Sequence, residues 1–352
     1  MKTLRFSLVA LAATALFTAC SNDEAVQLIN GEEQAISFRV QGGTPELTTR
    51  TTATTANNVD AFVVFGIDGL ASSNIFKGVT VARQVDGSFD YNPRKYYSIG
   101  AADANFFAYS PASAVLNITP TSLDTASLST SAGFKYEVTR PDATGLTGQV
   151  DLLVAATSIA DVPIVTGTVD FVFKHALSRI FVKATNSLTE NVVITGLSLL
   201  NLKSVGLLTG TPVTAIAPPG APWVTWTWSV QTAPVTPIPP YEYVLANSGV
   251  AVKPNLSTAT LVTSMEQGMM VLPQATVNTT PNNHASGDFA LEVTYDIANL
   301  IGNKTYIYLT DGYAFEAGIQ YAITIAFGGT GSPIEIDFTI DVSPFTNDST
   351  MP

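Results

Sequence analysis

Ile334-Glu335-Ile336-Asp337-Phe338-Thr339-Ile340-Asp341-Val342 alternates apolar and polar side chains at every step. Ile334, Ile336, Phe338, Ile340 and Val342 fall on one side of an extended chain, and the acids and Thr339 fall on the other. A period of two belongs to a β-strand with one face buried and one face wet. Similar short runs recur upstream between Gly, Pro and Thr-rich turns. They include Ile36–Val40, Ala61–Phe65, Phe106–Tyr109, Asp151–Ala155, Val169–Phe173, Ile180–Lys183, Val192–Leu200, Trp223–Val230, Met269–Leu272, Phe289–Ile297, Tyr306–Leu309 and Gln320–Ala326. Ala61–Phe65 is apolar throughout, as a strand covered on both faces would be. Beyond the first twenty residues no segment carries helical periodicity, so the chain reads as all-β. One sandwich takes about 100 residues, and a chain of 352 residues therefore predicts two β-sandwiches in tandem. Asp161-Val162-Pro163 and Thr166-Gly167 interrupt the strand pattern. They place the boundary between an N-terminal sandwich over 51–167 and a C-terminal one over 168–352.

Composition narrows the function. Hydrophobic residues make up 46% of the chain and charged residues only 12%, enough for a large core under a thinly charged surface. The net charge is −12 and no Lys/Arg cluster occurs, which argues against nucleic acid as a partner, because neutralising phosphates takes concentrated basic residues.

The N-terminus reads as a lipoprotein signal peptide over residues 1–20. Lys2 and Arg5 form a basic start, Phe6 to Phe17 is nearly all apolar, and Thr18-Ala19 puts small residues before Cys20. Such an apolar run is too short to span a bilayer stably. Cys20 is the sole cysteine, so it is the expected lipidation site, and no intrachain disulfide can form. Residues 21–50 then hold a polar tether, the first strand with Ile36, Phe38 and Val40 on its apolar face, and a Gly/Thr/Pro-rich loop containing Arg50.

A search for chemistry yields little. His175 sits in an apolar strand context and reads as a core or rim histidine, and His284 lies in the polar stretch Pro281-Asn282-Asn283. No zinc-protease, thiol-pair, phosphate-loop or nucleophile-elbow motif is present. Glu335, Asp337 and Asp341 are accounted for by the wet face of a strand. Trp223, Trp226 and Trp228 form an aromatic cluster that suits either core packing or stacking on a sugar. The expectation is a non-enzyme with no cofactor and no metal.

Several ordered segments resemble the fimbrillin family of lipoproteins, subunits of type V pili. These are the lipobox at Cys20, an Arg-containing loop after the first strand, and Tyr91-Asn92-Pro93-Arg94-Lys95-Tyr96-Tyr97 followed by Phe106-Phe107-Ala108-Tyr109-Ser110-Pro111. Asp151–Ala155, Phe173-Lys174-His175-Ala176-Leu177-Ser178-Arg179, Val271-Leu272-Pro273-Gln274 and the ending Gly318–Tyr321 through Val342–Thr346 follow in family order. Tyr97 and Phe345 stand where the family often has Trp. The resemblance implies transthyretin-like sandwiches and a structural or adhesive pilus subunit that polymerises by protease-triggered donor-strand exchange. Cleavage would fall between Arg50 and Thr51 and release the strand of Ile36, Phe38 and Val40. The groove would be refilled by Ile334, Ile336, Phe338, Ile340 and Val342 of another subunit. An unpaired strand edge over an open core is what such a donor repairs. The implied partners are other pilus subunits and, through the lipid, the outer membrane, with a host protein or glycan receptor as the external partner. The competing reading is a monomeric outer-membrane lipoprotein on the cell surface that binds host or dietary glycans.

Overall fold

The computed structural model describes residues 35–41, 59–68, 74–97, 103–112, 118–120, 132–138, 149–160, 168–212, 224–230, 241–243, 249–254, 256–263, 268–276, 284, 287–309, 311–328 and 335–344. Among them the regular structure is β-strand, with 3₁₀ geometry at Ala112 and His284. The all-β expectation holds.

The largest sheet has eight strands, in the order Lys174–His175, Leu153–Ala160, Asp103–Ser110, Ala61–Asp68, Asn74–Arg83, Phe89–Asp90, Ser37–Gln41 and Thr168–Val172. Its two end strands are separated in sequence only by Phe173, so the sheet curls until its ends approach each other. The enclosed core contains Phe38, Phe62, Phe76, Phe106 and Phe171. Strand periodicity explains how one strand serves two cores. In Ala61–Asp68, Phe62 and Val64 point into this enclosed core, while Val63, Phe65 and Ile67 point the other way into a second core. Asp103–Ser110 divides likewise, with Phe106 inside and Phe107 and Tyr109 outside. Both strands are therefore covered on both faces, which is why Phe62–Phe65 and Phe106–Tyr109 are unbroken apolar runs. Gly66 marks where these layers press closest, since a Cβ there would lie 2.7 Å from a ring carbon of Phe106.

The second core is shared with a two-stranded sheet, Gln274–Ala275 with Ala314–Phe315, and with three larger sheets. One has the order Val224–Val230, Val205–Pro212, Ala132–Glu137 and Ile118–Pro120. Another runs Leu256–Leu261, Ser178–Asn186, Ile319–Gly328 and Glu335–Pro344, with Met269–Val271 also on Ser178–Asn186. The third runs Tyr241–Tyr243, Val192–Leu200, Ala290–Ile297 and Leu300–Ile307, with Val250–Val252 also on Val192–Leu200.

The expected break at residue 167 does not separate the sheets. Thr168–Val172 lies in the N-terminal sheet, paired in parallel with Ser37–Gln41. Ala132–Glu137 pairs over six positions with Val205–Pro212 from beyond the break. The turn-forming residues at 161–167 punctuate the sequence, while pairing across the break is set by where unsatisfied edges and apolar faces meet. Asn74–Arg83 and Val205–Pro212 are strands that no alternation signalled. The first carries register shifts against its neighbour at Val64/Phe65 and Gly66/Ile67, and each shift inverts the inside-outside pattern. The second contains two glycines and ends on Pro212, which lowers its strand signature.

Candidate functional site

The strand Ser37–Gln41 is held unevenly. Along one edge all five residues pair with Thr168–Val172, Phe38 opposite Val169 and Arg39 opposite Asp170. Along the other edge the only register partner among the described residues is Phe89, opposite Phe38. What secures the strand is its inner face. Phe38 is 5% exposed, and its ring lies 5.2 to 6.2 Å from those of Phe62, Phe76, Tyr91, Phe106 and Phe171. Ile36 is fully buried, and Val40 is half-buried against the same core. Tyr91 donates its hydroxyl to the Ile36 carbonyl at 2.6 Å, and the Ile36 amide donates to the Lys95 carbonyl at 2.9 Å. Burial pushes the Tyr91 phenol above its ordinary range, which keeps it a donor.

The outer face of the strand is tied by polar contacts. Arg39 donates to both carboxylate oxygens of Asp170, at 2.6 and 2.7 Å, and the Gln41 amide donates to the same carboxylate at 2.7 Å. The Ser37 and Thr168 hydroxyls are 2.8 Å apart. Hydrogen bonding to Asp170, then its charge, raises the Arg39 guanidinium further above neutrality. The guanidinium is exposed, so this pair adds little stability. The backbone of Arg39 sits in the ladder, unlike that of a loop residue.

The C-terminal strand, Glu335–Pro344, pairs antiparallel with Ile319–Gly328 over ten positions. It is the end strand of its sheet, and among the described residues no strand pairs with its other edge. Ile336, Phe338 and Ile340 are only partly buried, against the shared core. Asp337, Thr339 and Asp341 are exposed, as the alternation requires. Val342 departs from the expected apolar face, being 56% exposed; the face in contact with core ends at Ile340. Cys20, Arg50, Thr51 and Ile334 lie outside the described residues, as does Trp223.

Trp226 and Trp228 are half-buried and packed on the shared core. Trp226 lies 5.0 Å from the Phe107 ring, and the Trp228 indole donates to the Ala176 carbonyl at 2.7 Å. Both also line a cavity of about 760 Å³ with Phe173, Lys174, His175 and Asp170. His175 pairs at 2.8 Å with the fully buried Asp151, the satisfied rim histidine that its context suggests. His284 stacks on Tyr306 at 3.9 Å and meets the Tyr308 hydroxyl at 2.9 Å, an anchoring that its polar sequence neighbours do not signal. Among the described residues no group of three or more His, Cys, Asp or Glu could hold a metal ion.

Sequence reading located the first strand and its apolar face but not Asp170 or Tyr91, which clamp it. Asp170 carried one signal, a lone acid inside the apolar run Val169–Phe173. Tyr91 opens one of the family-like segments, but nothing local in the sequence ties it to Ile36, 55 residues away.

A fimbrillin-like family model matches residues 49–342. No curated protein matches the chain significantly. Among solved structures, a fimbrial protein from Bacteroides vulgatus is 15% identical with a TM-score of 0.60, the match covering 89% of this chain and 100% of that one. A candidate cell adhesion protein from Bacteroides uniformis is 19% identical with a TM-score of 0.49, covering 91% of this chain and 100% of that one. The tip fimbrial protein of Porphyromonas gingivalis, C-terminally truncated, is 11% identical with a TM-score of 0.39, covering 80% of this chain and 93% of that one.

Proposed function

The chain belongs to the fimbrillin-like family, and on that premise we propose that it is a subunit of a bacterial surface fimbria that polymerises by donor-strand exchange. In this reading the precursor is anchored at the outer membrane by lipid on Cys20. Cleavage between Arg50 and Thr51 then frees the strand Ser37–Gln41. Its departure opens a groove in the eight-stranded sheet, and the C-terminal strand of another subunit fills it. Donor and groove lie on different parts of one chain, so the contact is heterologous and propagates as an open filament.

The observation that carries the reading is Phe38. One short strand, paired at length along one edge only, closes a core of five aromatic rings. Removing it would expose that core and the Thr168–Val172 edge together. Support for the reading comes from Glu335–Pro344 as well, an end strand of its sheet with an apolar face of Ile336, Phe338 and Ile340. The cavity beside Trp226 and Trp228 keeps a second reading in view, a monomeric surface lipoprotein that binds glycans. Both tryptophans are engaged in core packing, which favours the first.

The deciding measurement is the N-terminal sequence of material sheared from the cell surface, with lipid labelling of the precursor. Polymer beginning at Thr51, from a precursor labelled at Cys20, is expected. Surface material that retains Cys20 and stays monomeric would overturn the proposal.

A further inference from the structure

Resting on the strand-exchange reading, we propose a direction and register for the incoming strand. It runs parallel to Thr168–Val172, with Phe338 in the place of Phe38 and Ile336 and Ile340 in those of Ile36 and Val40. The basis is an internal match between two distant segments. Ile36-Ser37-Phe38-Arg39-Val40 and Ile336-Asp337-Phe338-Thr339-Ile340 share an apolar face of one aromatic residue between two aliphatic ones.

The register follows from the shape of the groove. The central position is enclosed by five rings, each within 6.2 Å of the Phe38 ring. A shift of two residues would put Ile336 or Ile340 there and leave a void among the rings, which close-packed cores tolerate poorly. It would also force Phe338 into the place of Ile36, which has no exposed surface, or into that of Val40. A shift of one residue would turn Asp337 or Thr339 into the core.

The apolar face does not set direction, because Ile-Phe-Ile reads the same both ways. The outer face does. Arg39 stands opposite Asp170 and Ser37 opposite Thr168. With the strand parallel, Thr339 takes the place of Arg39 and can donate its hydroxyl to Asp170. Asp337 takes the place of Ser37 and can accept from the Thr168 hydroxyl. With the strand reversed about Phe338, Asp337 would face Asp170 directly, carboxylate against carboxylate, which destabilises a cross-strand pair. Parallel entry also preserves the ladder geometry of Thr168–Val172.

Exchange trades backbone pairing for burial. The strand gives up a ten-position ladder on Ile319–Gly328 and gains the five-position ladder vacated by Ser37–Gln41. Phe338, partly exposed on its own sheet, moves into a site where Phe38 is 5% exposed. One unfavourable contact remains. Asp341 takes the place of Gln41, whose amide donates to Asp170 at 2.7 Å, so a repelling carboxylate replaces a donor.

Cysteine pairs test this in full-length protein carrying Cys20→Ala and cleaved after Arg50. Asp170→Cys is combined in turn with Asp337→Cys, Thr339→Cys and Asp341→Cys, and oxidised oligomers are resolved on denaturing gels. The Thr339→Cys combination is expected to give the highest yield of covalent oligomer. A higher yield from either other pair overturns the register or direction while leaving strand exchange standing. Oligomers that form but cross-link in none of the three place the donor outside this groove, and no oligomers at all sink the exchange reading itself. A second variant avoids disturbing Asp170: Asp341→Gln restores the lost donor and should raise polymer yield about two- to fivefold. An unchanged or lower yield would count against the register.

Discussion

Phe38 and Arg39 are neighbours on one strand, yet their side chains have opposite energetic weight. The Phe38 ring is desolvated among five others, and truncating such a side chain costs its transfer energy plus the cavity left behind. Arg39 makes a two-pronged ion pair with Asp170, but its side chain is 64% exposed, so solvent screens most of the attraction. Phe38→Ala in the uncleaved precursor should therefore lower unfolding free energy by about 3–5 kcal/mol. Arg39→Ala should lower it by only a small fraction of that, because solvent screens an exposed pair. Urea denaturation of the two variants measures this directly. Comparable losses would mean that the strand is held by its outer face and that the ring cluster is not its anchor. Phe38 was legible in the sequence because alternation marks the inward side of a strand. Asp170 was not, since its bond to Arg39 joins positions 131 residues apart, and no local period encodes that distance.

At the scale of elements, strands with large apolar residues at most inward positions were readable even where a bulge interrupts them, and strands poor in such residues were not. Val192–Leu200 has the bounds that its pattern suggests despite a register shift between Ile194 and Gly196, because Val192 and Ile194 before the shift and Leu197 and Leu199 after it all pack on core. Asn74–Arg83 hides its periodicity behind two register shifts. The C-terminal strand lies between these cases, since its alternation is regular but contact with the core stops before Val342. That shallow seating has a consequence. Ile336, Phe338 and Ile340 are partly exposed and the strand sits at a sheet end, so its removal should leave the remaining sheets folded. A chain ending at residue 334, cleaved after Arg50, should keep its β-sheet circular dichroism and stay monomeric on size exclusion. Unfolding would assign the strand to its own subunit as an indispensable element. Polymerisation equal to that of the intact chain would place the donor elsewhere.

The whole molecule is knit together by a core that ignores the break expected from the sequence. Val63, Phe65 and Phe107 from the eight-stranded sheet share one cluster with Val182, Ile194, Leu208 and Ile323 from beyond residue 167. Punctuation by Gly and Pro was legible, but the faces that come together across it were not, because outward-pointing apolar residues do not name their partner. Buried phenols offer a probe of this unity. Tyr91 and Tyr97 pack on the enclosed core, and Tyr109 and Tyr136 lie in the shared one. Burial pushes the Tyr109 phenol up to about 12 and drives Tyr97 and Tyr136 higher still. A phenol whose pKa is raised in the fold stabilises it fully below the unfolded value, about 10. That contribution fades as pH rises from there through the folded value. The midpoint of thermal unfolding should thus be flat near neutrality and fall steadily above about pH 10. Exposed tyrosines should ionise first, in a gradual step in phenolate absorbance. The buried set should ionise in a second, steep step that coincides with loss of β-sheet circular dichroism. Since one core spans the sheets, both signals should move in a single cooperative transition. Two separated steep steps would mean that the sheets on either side of residue 167 unfold independently. Ionisation of every tyrosine near pH 10 without loss of structure would contradict the burial of these rings.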